Sequence, residues 1–217
     1  MNHYKHSPAP AYTQALPQQI DPSISTVVIV HGLASNRLDM YPIARRLRRR
    51  GYDVINWGYP STRKTIQQHG HALAQRILKA SEAGRDRLHI VAHSMGCIVS
   101  RCALGEVIPG NLGRLLMLAP PNQGSFAARH LTPWLGWYSK TLTELSDAPD
   151  SFVNRLPRLD GVEFGVMAAE RDRVIDRSKT ILPGMNDFTI VSTGHGVMPW
   201  RRQVAELTDQ YLQTGRF

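Results

Sequence analysis

The amino-acid sequence predicts an α/β protein with one mainly parallel sheet of about six strands and helices on both faces. From residue 26 onward, short apolar runs alternate with longer segments of helical periodicity, which is the pattern of strand–helix–strand units. The runs are apolar at successive positions, as in strands that are buried on both faces. A length of 217 residues corresponds to about one domain, so we expect a single domain.

Six strands and four helices account for this pattern. The predicted strands are residues 26–30, 52–57, 88–91, 114–118, 163–168 and 187–191. The predicted helices are residues 38–50, 65–82, 94–107 and 200–212. The first and last helices each carry an apolar stripe with the spacing of a buried face. These stripes are Met40, Ile43, Ala44 and Leu47, and Trp200, Val204, Leu207 and Tyr211.

Two segments depart from the alternation of strands and helices. Residues 1–25 contain four prolines and little periodicity, so we interpret them as an irregular N-terminal arm and residues 26–217 as the folded domain. Within residues 125–160, an apolar segment contains Trp134, Trp137 and Tyr138. Two interpretations of this segment stay open, namely a small cap over the active site and an ordinary helix packed on the core.

The composition excludes several classes of protein. No apolar stretch approaches the ~18 residues of a membrane span, so no membrane span is expected. The polar N-terminus is followed by no apolar run, which indicates no secretory signal and predicts a cytoplasmic protein. Cys97 and Cys102 lie five residues apart on one predicted helix, which disfavours a mutual disulfide. We expect them to be small core residues.

The net charge of +9 raises the question of an anionic partner. Its densest cluster is residues 45–50, which contain five arginines. Most of these arginines fall away from the apolar stripe of the first helix, so we interpret them as a solvated face. The sequence has no nucleic-acid-binding motif and no interleaved aromatic residues. No nucleic-acid partner is therefore expected.

The strongest signal for chemistry is a serine between a strand and a helix. Residues 88–99 are Leu-His-Ile-Val-Ala-His-Ser-Met-Gly-Cys-Ile-Val, which places Ser94 on a tight turn between the small residues Ala92 and Gly96. Such a turn exposes the hydroxyl at a helix N-terminus, where partial positive charge favours a developing oxyanion. Ala92 departs from the G-x-S-x-G pattern by one methyl group. The other interpretation of Ser94 is a helix N-cap.

A second signal follows the first predicted strand, at Val30-His31-Gly32-Leu33. Gly32 permits a close backbone approach. The backbone N–H groups of Leu33 and Met95 are therefore predicted to form an oxyanion hole. His31 is a candidate catalytic base, but we interpret it as a structural histidine that braces the loop.

These two motifs resemble those of lipase-type alpha/beta hydrolases. Residues 120–125 (Pro-Pro-Asn-Gln-Gly-Ser) are similar to the Pro-Asn-x-Gly-Ser stretch of small bacterial lipase-like hydrolases, and residues 182–185 and 211–217 also match that group. The resemblance covers residues 26–217 and is weakest over residues 125–162. It implies a single-domain alpha/beta-hydrolase fold. The motifs are specific for the fold and weak for the substrate.

The resemblance also implies a catalytic acid after the next-to-last strand and a histidine after the last strand, in the chain order Ser, Asp, His. Asp172 lies in a segment that resembles the family's Asp-x-Val-Val turn, and His195 lies between two glycines after the last strand. In this arrangement His195 takes the Ser94 proton, and Asp172 fixes the tautomer of His195. The alternatives for the acid and the base are Asp147, Glu170, Asp176, His89, His93 and His130.

The expected function is hydrolysis of carboxylic esters through an acyl-serine intermediate, as in a carboxylesterase or a lipase-like enzyme. The alternatives are an acyltransferase or thioesterase with the same triad, a peptidase or amidase, and a non-catalytic binding protein of the hydrolase fold. No metal-binding spacing, phosphate-binding glycine loop or dinucleotide fingerprint is present. We therefore expect no cofactor and no metal, and a small-molecule ester as the partner.

Overall fold

The computed structural model describes residues 19–83, 85–128, 130 and 140–217, and its six strands form one parallel sheet. The strands lie in the order β2-β1-β3-β4-β5-β6, and all five pairings are parallel. The strands are β1 Ser25–Val30, β2 Asp53–Trp57, β3 Arg87–His93, β4 Leu112–Leu118, β5 Glu163–Ala169 and β6 Asp187–Val191. The helices are α1 Tyr41–Arg48, α2 Ile66–Ser81, α3 Met95–Glu106, α4 Lys140–Glu144, α5 Phe152–Arg155 and α6 Arg202–Thr214. The predicted fold class is confirmed.

Helices cover both faces of the sheet, and the interior strand β1 shows how the sequence directs them. Successive side chains of a strand point to opposite faces. Val28 and Val30 pack with α2 and α3 on one face, whereas Val27 and Ile29 pack with α1 and α6 on the other. All four valine and isoleucine side chains are fully buried. The continuous apolar run of β1 is therefore required, because neither face of this strand meets water.

Two helices begin two or more residues later in the chain than predicted. The N–H of Tyr41 donates to the carbonyl of Leu38 in a turn, and α1 starts at Tyr41 with Pro42 in its first turn, where the missing N–H of proline costs nothing. The stripe predicted for this helix is buried as expected. The last helix begins at Arg202, after a 3-10 turn over Met198–Trp200. The placement of Trp200 on the buried face was wrong, because its side chain is 53% exposed.

The parallel topology brings the chemically important loops to one edge of the sheet. The chain leaves β1 toward β2 on one side and returns to β3 on the other, so a topological switch point lies between β1 and β3. Ligands of open parallel sheets bind in the crevice at such a point, beyond the carboxyl ends of the strands. The loops that follow β1, β3, β5 and β6 all reach this edge.

The arm and the cap fall partly outside the described residues. In the described part of the arm, the N–H of Ile20 donates to the carbonyl of Gln213, and Pro22–Ile24 form a 3-10 turn. Residues 1–18 and the apolar segment 131–138 lie outside the description. Leu142 and Leu145 are buried in the core, so this portion of residues 125–160 packs on the domain itself. The domain boundaries stay a prediction.

Two further expectations can be compared with the described residues. No helix among them is long and apolar enough to cross a membrane. Cys97 and Cys102 are both buried and form no disulfide. They behave as small core residues of α3, as expected from their spacing.

The contact between β5 and α6 generates a prediction about stability. A Cβ atom at Gly165 would lie 2.5 Å from the ring of Tyr211, which is fully buried on α6. Gly165→Ala should therefore lower the free energy of unfolding by about 1–3 kcal/mol, the usual cost of overpacking. A Cβ at Gly110 would meet nothing within 4 Å, so Gly110→Ala is the matched control. Equal urea midpoints for the two variants would contradict this account of the packing.

Candidate active site

Ser94 lies at the sharp turn between β3 and α3, and its backbone is strained. Its φ of 54° and ψ of −126° are values that a non-glycine residue rarely adopts. The turn presses α3 against the end of β1, because a Cβ at Gly96 would lie 2.5 Å from the carbonyl oxygen of His31 and 2.6 Å from that of Val30. The small residue that the sequence places two positions after the serine is therefore required by the backbone of β1.

Ser94, His195 and Asp172 form a continuous chain of hydrogen bonds. Ser94 Oγ lies 2.9 Å from His195 Nε2, and His195 Nδ1 lies 2.7 Å from Asp172 Oδ2. The second carboxylate oxygen, Oδ1, accepts the backbone N–H groups of Val174 and Ile175 at 2.8 and 2.9 Å. Both oxygens of Asp172 are thus held by donors. The structure brings the three predicted residues together from the loops after β3, β5 and β6.

The surroundings of Asp172 keep it ionised. Burial acts to raise the pKa of this carboxyl group, but the hydrogen bond and electrostatic attraction of the His195 ring and the two backbone N–H groups outweigh burial and hold the pKa below its usual value. An ionised carboxylate only accepts hydrogen bonds. His195 Nδ1 must therefore carry a proton that it donates to Asp172, which leaves Nε2 free to accept the proton of the Ser94 hydroxyl.

A pocket of about 280 Å³ opens beside Ser94 and His195, and Gly32 and Leu33 form part of its wall. A Cβ at Gly32 would lie 3.0 Å from Ser94 Cβ, so a side chain at this position would crowd the serine. Met95 is the first residue of α3, and the N–H groups of the first helical turn have no partner within the helix. The two predicted oxyanion donors thus belong to the two backbone segments nearest the serine.

Two polar residues of the pocket were not anticipated from the sequence. Ser35 and Asp39 line the wall, and Ser35 Oγ donates to Asp39 Oδ2 at 2.7 Å. The same carboxylate oxygen accepts the N–H of Asn36. The only signal in the sequence is their position in the loop after β1, since a serine and an aspartate at this spacing are common in any turn.

The alternatives named for the acid and the base occupy other places. Asp176 accepts both the N–H and the hydroxyl of Ser178 and so begins the 3-10 turn that follows. Glu170 and His130 are exposed. His89 is buried within β3, where its Nδ1 accepts the N–H of Arg114 at 2.9 Å. Among the described residues, only Asp172 of the candidate acids contacts His195.

Comparison with known proteins identifies the family of this chain. Residues 24–145, more than half of the chain, match the family described as "Putative serine esterase (DUF676)". The chain belongs to this family. No curated protein matches the sequence.

Solved structures of lipases and esterases share the fold of this serine esterase family member. The mature lipase BlEst2 of Bacillus licheniformis superposes with a TM-score of 0.72 at 17% identity, over 94% of this chain and 96% of the lipase. Lipase B of Aspergillus fumigatus gives 0.72 at 16% identity, over 87% of this chain and 52% of the lipase. A lipase-esterase related protein of Clostridium acetobutylicum ATCC 824 gives 0.61 at 15% identity, over 90% and 98%. The chain thus shares the fold of these lipases and esterases.

The residue before Ser94 in this serine esterase family member supports the loop of His195. His93 is buried, and its Nε2 lies 3.1 Å from the carbonyl oxygen of His195. A carbonyl only accepts, so Nε2 carries the proton and donates it. Burial and the adjacent His195 lower the pKa of His93 to about 3, so the ring is neutral. The sequence offered His93 only as an alternative base, because its actual partner lies 102 residues further along the chain.

The buried His93 generates a prediction about acid stability. Its pKa is about 3 in the folded protein against 6.5 when solvated, so the unfolded chain binds a proton below pH 6.5 that the folded protein rejects. The free energy of unfolding is therefore not reduced by His93 above pH 6.5. As the pH decreases below this value, His93 lowers it, by about 2 kcal/mol at pH 5. His93→Gln keeps an N–H donor and cannot ionise. Urea unfolding at pH 7 and pH 5 should show a smaller loss for this variant, and equal losses would contradict the assignment.

Proposed function

We propose that this protein hydrolyses carboxylic esters through an acyl-enzyme intermediate on Ser94, with His195 as general base and acid and Asp172 as the supporting carboxylate. The observation that carries the proposal is the unbroken chain of hydrogen bonds from Ser94 Oγ through His195 to Asp172, beside an open pocket. Membership of the serine esterase family supports the same chemistry.

In the first half of the proposed reaction, Ser94 Oγ attacks the ester carbonyl while His195 Nε2 takes its proton. Asp172 stabilises the imidazolium that forms, through the bond to Nδ1. The carbonyl oxygen becomes negative in the tetrahedral intermediate, and the N–H groups of Leu33 and Met95 stabilise this charge. Collapse of the intermediate breaks the bond to the alcohol, which leaves with the proton from His195.

In the second half, water attacks the acyl group on Ser94. His195 Nε2 takes a proton from the water and returns it to Ser94 Oγ as the second intermediate collapses. The carboxylic acid is released, and the enzyme regains its starting state. The mechanism uses only the three side chains and the two backbone N–H groups.

The size of the pocket favours small or medium acyl groups as the preferred substrates. Its volume of about 280 Å³ lies at the lower end of typical small-molecule sites. Part of its wall is polar, because Ser35 and Asp39 line it together with Leu33 and Pro199. A short ester with a polar alcohol portion suits such a wall better than a long alkyl chain does.

The pair Asp172 and Asp176 gives a sharp test of the catalytic acid. Asp172→Asn should lower kcat by about 10⁴-fold, as the loss of this carboxylate does in comparable triads, because the amide no longer selects the useful tautomer. Asp176→Asn is the matched control, since the carboxylate of Asp176 accepts hydrogen bonds from Ser178 in the next turn and none from His195. The measurement is kcat for both variants on one nitrophenyl ester. A crippled Asp176→Asn beside a normal Asp172→Asn would refute the assignment.

The substrate class is tested by the acyl-chain profile. On nitrophenyl esters from acetyl to palmitoyl, kcat/KM should be highest for the shorter chains and fall steeply for the longest, because the pocket has no room for them. Ser94→Ala should abolish hydrolysis of every ester in the series. A maximum at palmitoyl would refute the size argument. Faster cleavage of matched thioesters, or transfer to an added alcohol in place of water, would favour a thioesterase or an acyltransferase.

A further inference from the structure

His31 has hydrogen bonds to both of its ring nitrogens, and they define its tautomer. The side chain is fully buried at the end of β1. The backbone N–H of Tyr59 donates to Nε2 at 3.3 Å, and Nδ1 lies 2.9 Å from the carbonyl oxygen of Gly32. An N–H group only donates, so Nε2 is the unprotonated nitrogen. Nδ1 therefore carries the proton and donates it to Gly32. Burial also lowers the pKa of His31, which keeps the ring neutral.

The carbonyl of Gly32 and the N–H of Leu33 belong to the same peptide group. In a trans peptide these two bonds point in opposite directions, and the chain has no cis peptide among its described residues. A hydrogen bond that draws the Gly32 carbonyl toward His31 consequently turns the Leu33 N–H to the opposite side. Leu33 and Ser94 line the same pocket, so the direction of this peptide decides whether the N–H is available to the substrate.

The loop needs such an anchor. Gly32 has no side chain to restrict its backbone, and Ala34 two residues later is held at a φ of 50°. A non-glycine residue keeps this conformation only where its surroundings impose it. Without a fixed carbonyl at Gly32, the peptide between Gly32 and Leu33 could rotate, and the N–H of Leu33 would then turn away from the pocket.

The ring of His31 is itself held rigidly by the loop after β2. Tyr59 stacks on it with ring centroids 4.3 Å apart, and Trp57 stacks on Tyr59 at 4.6 Å. The hydroxyl of Tyr59 donates to the carbonyl of His31 at 2.8 Å. His69 closes the cluster with an edge-on contact to Tyr59. These contacts hold the His31 ring in place. The Gly32 carbonyl is therefore hydrogen-bonded to a group that does not move with the loop of Gly32 and Leu33.

We infer that His31 is a positioning residue that aims the backbone N–H of Leu33 at the oxyanion, through its hydrogen bond to the Gly32 carbonyl. This inference rests on the proposed ester hydrolysis at Ser94. His31 contacts neither the substrate nor the serine hydroxyl in this role. It acts only through the peptide between Gly32 and Leu33.

Two amide substitutions at His31 test its two ring nitrogens separately. In His31→Asn, the side-chain amide N–H takes the place of Nδ1–H and can still donate to Gly32. In His31→Gln, the amide reaches the position of Nε2 and leaves the Gly32 carbonyl without its donor. His31→Gln should lose about 100-fold in kcat with KM unchanged, as expected when one oxyanion donor is lost. His31→Asn should stay within about tenfold of the parent, since that donor is retained.

A trifluoromethyl ketone supplies a readout that a purely structural role would not change. Its adduct with Ser94 carries an oxyanion that binds where the transition state does. Its inhibition constant should therefore rise in His31→Gln by the same factor by which kcat/KM falls, while the melting temperatures of the two variants stay alike. Loss of activity that follows the melting temperature in both variants would overturn the inference, and so would a normal kcat in His31→Gln.

The outcomes also separate this inference from the proposed function. If the parent cleaves no ester, or if Ser94→Ala retains the activity, the proposed function fails and the inference fails with it. If the parent is active through Ser94 but His31→Gln matches it, only the role of His31 is overturned. If His31→Gln does not fold, the folded His31→Asn variant is measured by itself. A kcat close to that of the parent supports the inference, and a loss of kcat of about 100-fold or more contradicts it.

Discussion

The close packing of the first turn of α3 against the end of β1 is the constraint on which the rest of the site depends. Gly96 lies directly over the carbonyls of Val30 and His31, where a methyl group would collide with both. This contact forces Ser94 into its strained conformation, and strain of this kind persists only where packing over-determines it. It also brings the loop of Gly32 within reach of the serine. This one backbone contact thus brings together the Ser94 hydroxyl and the two backbone segments that carry the proposed oxyanion donors.

Much of this arrangement follows from local sequence. The alternation of apolar runs and helical segments predicted all six strands to within a few residues, because strands buried on both faces leave a clear signal. The turn at Ser94 and the His-Gly pair were equally visible, since steric demands restrict their neighbours to small residues. The helix starts were less predictable. At Tyr41 and Arg202 they depend on turns that involve Pro42 and Pro199.

Other features could not be predicted because they depend on contacts between distant residues. Asp172 and Asp176 both follow β5, and only the folded loop shows that one meets His195 while the other caps a turn. The bond from His93 to the His195 carbonyl is likewise absent from any local pattern. The histidines near Ser94 thus have different roles. The buried, neutral rings of His31 and His93 hold the backbone, and the more accessible His195 is the one proposed to move protons.

Covalent labelling tests whether Ser94 is the nucleophile that His195 activates. The protein is treated with a fluorophosphonate and analysed by intact-protein mass spectrometry, followed by peptide mapping. We expect one adduct per chain, located on Ser94, absent from Ser94→Ala and formed far more slowly in His195→Ala, because the serine then lacks its base. An adduct on another residue, or labelling of the parent no faster than that of His195→Ala, would show that Ser94 is not the activated nucleophile.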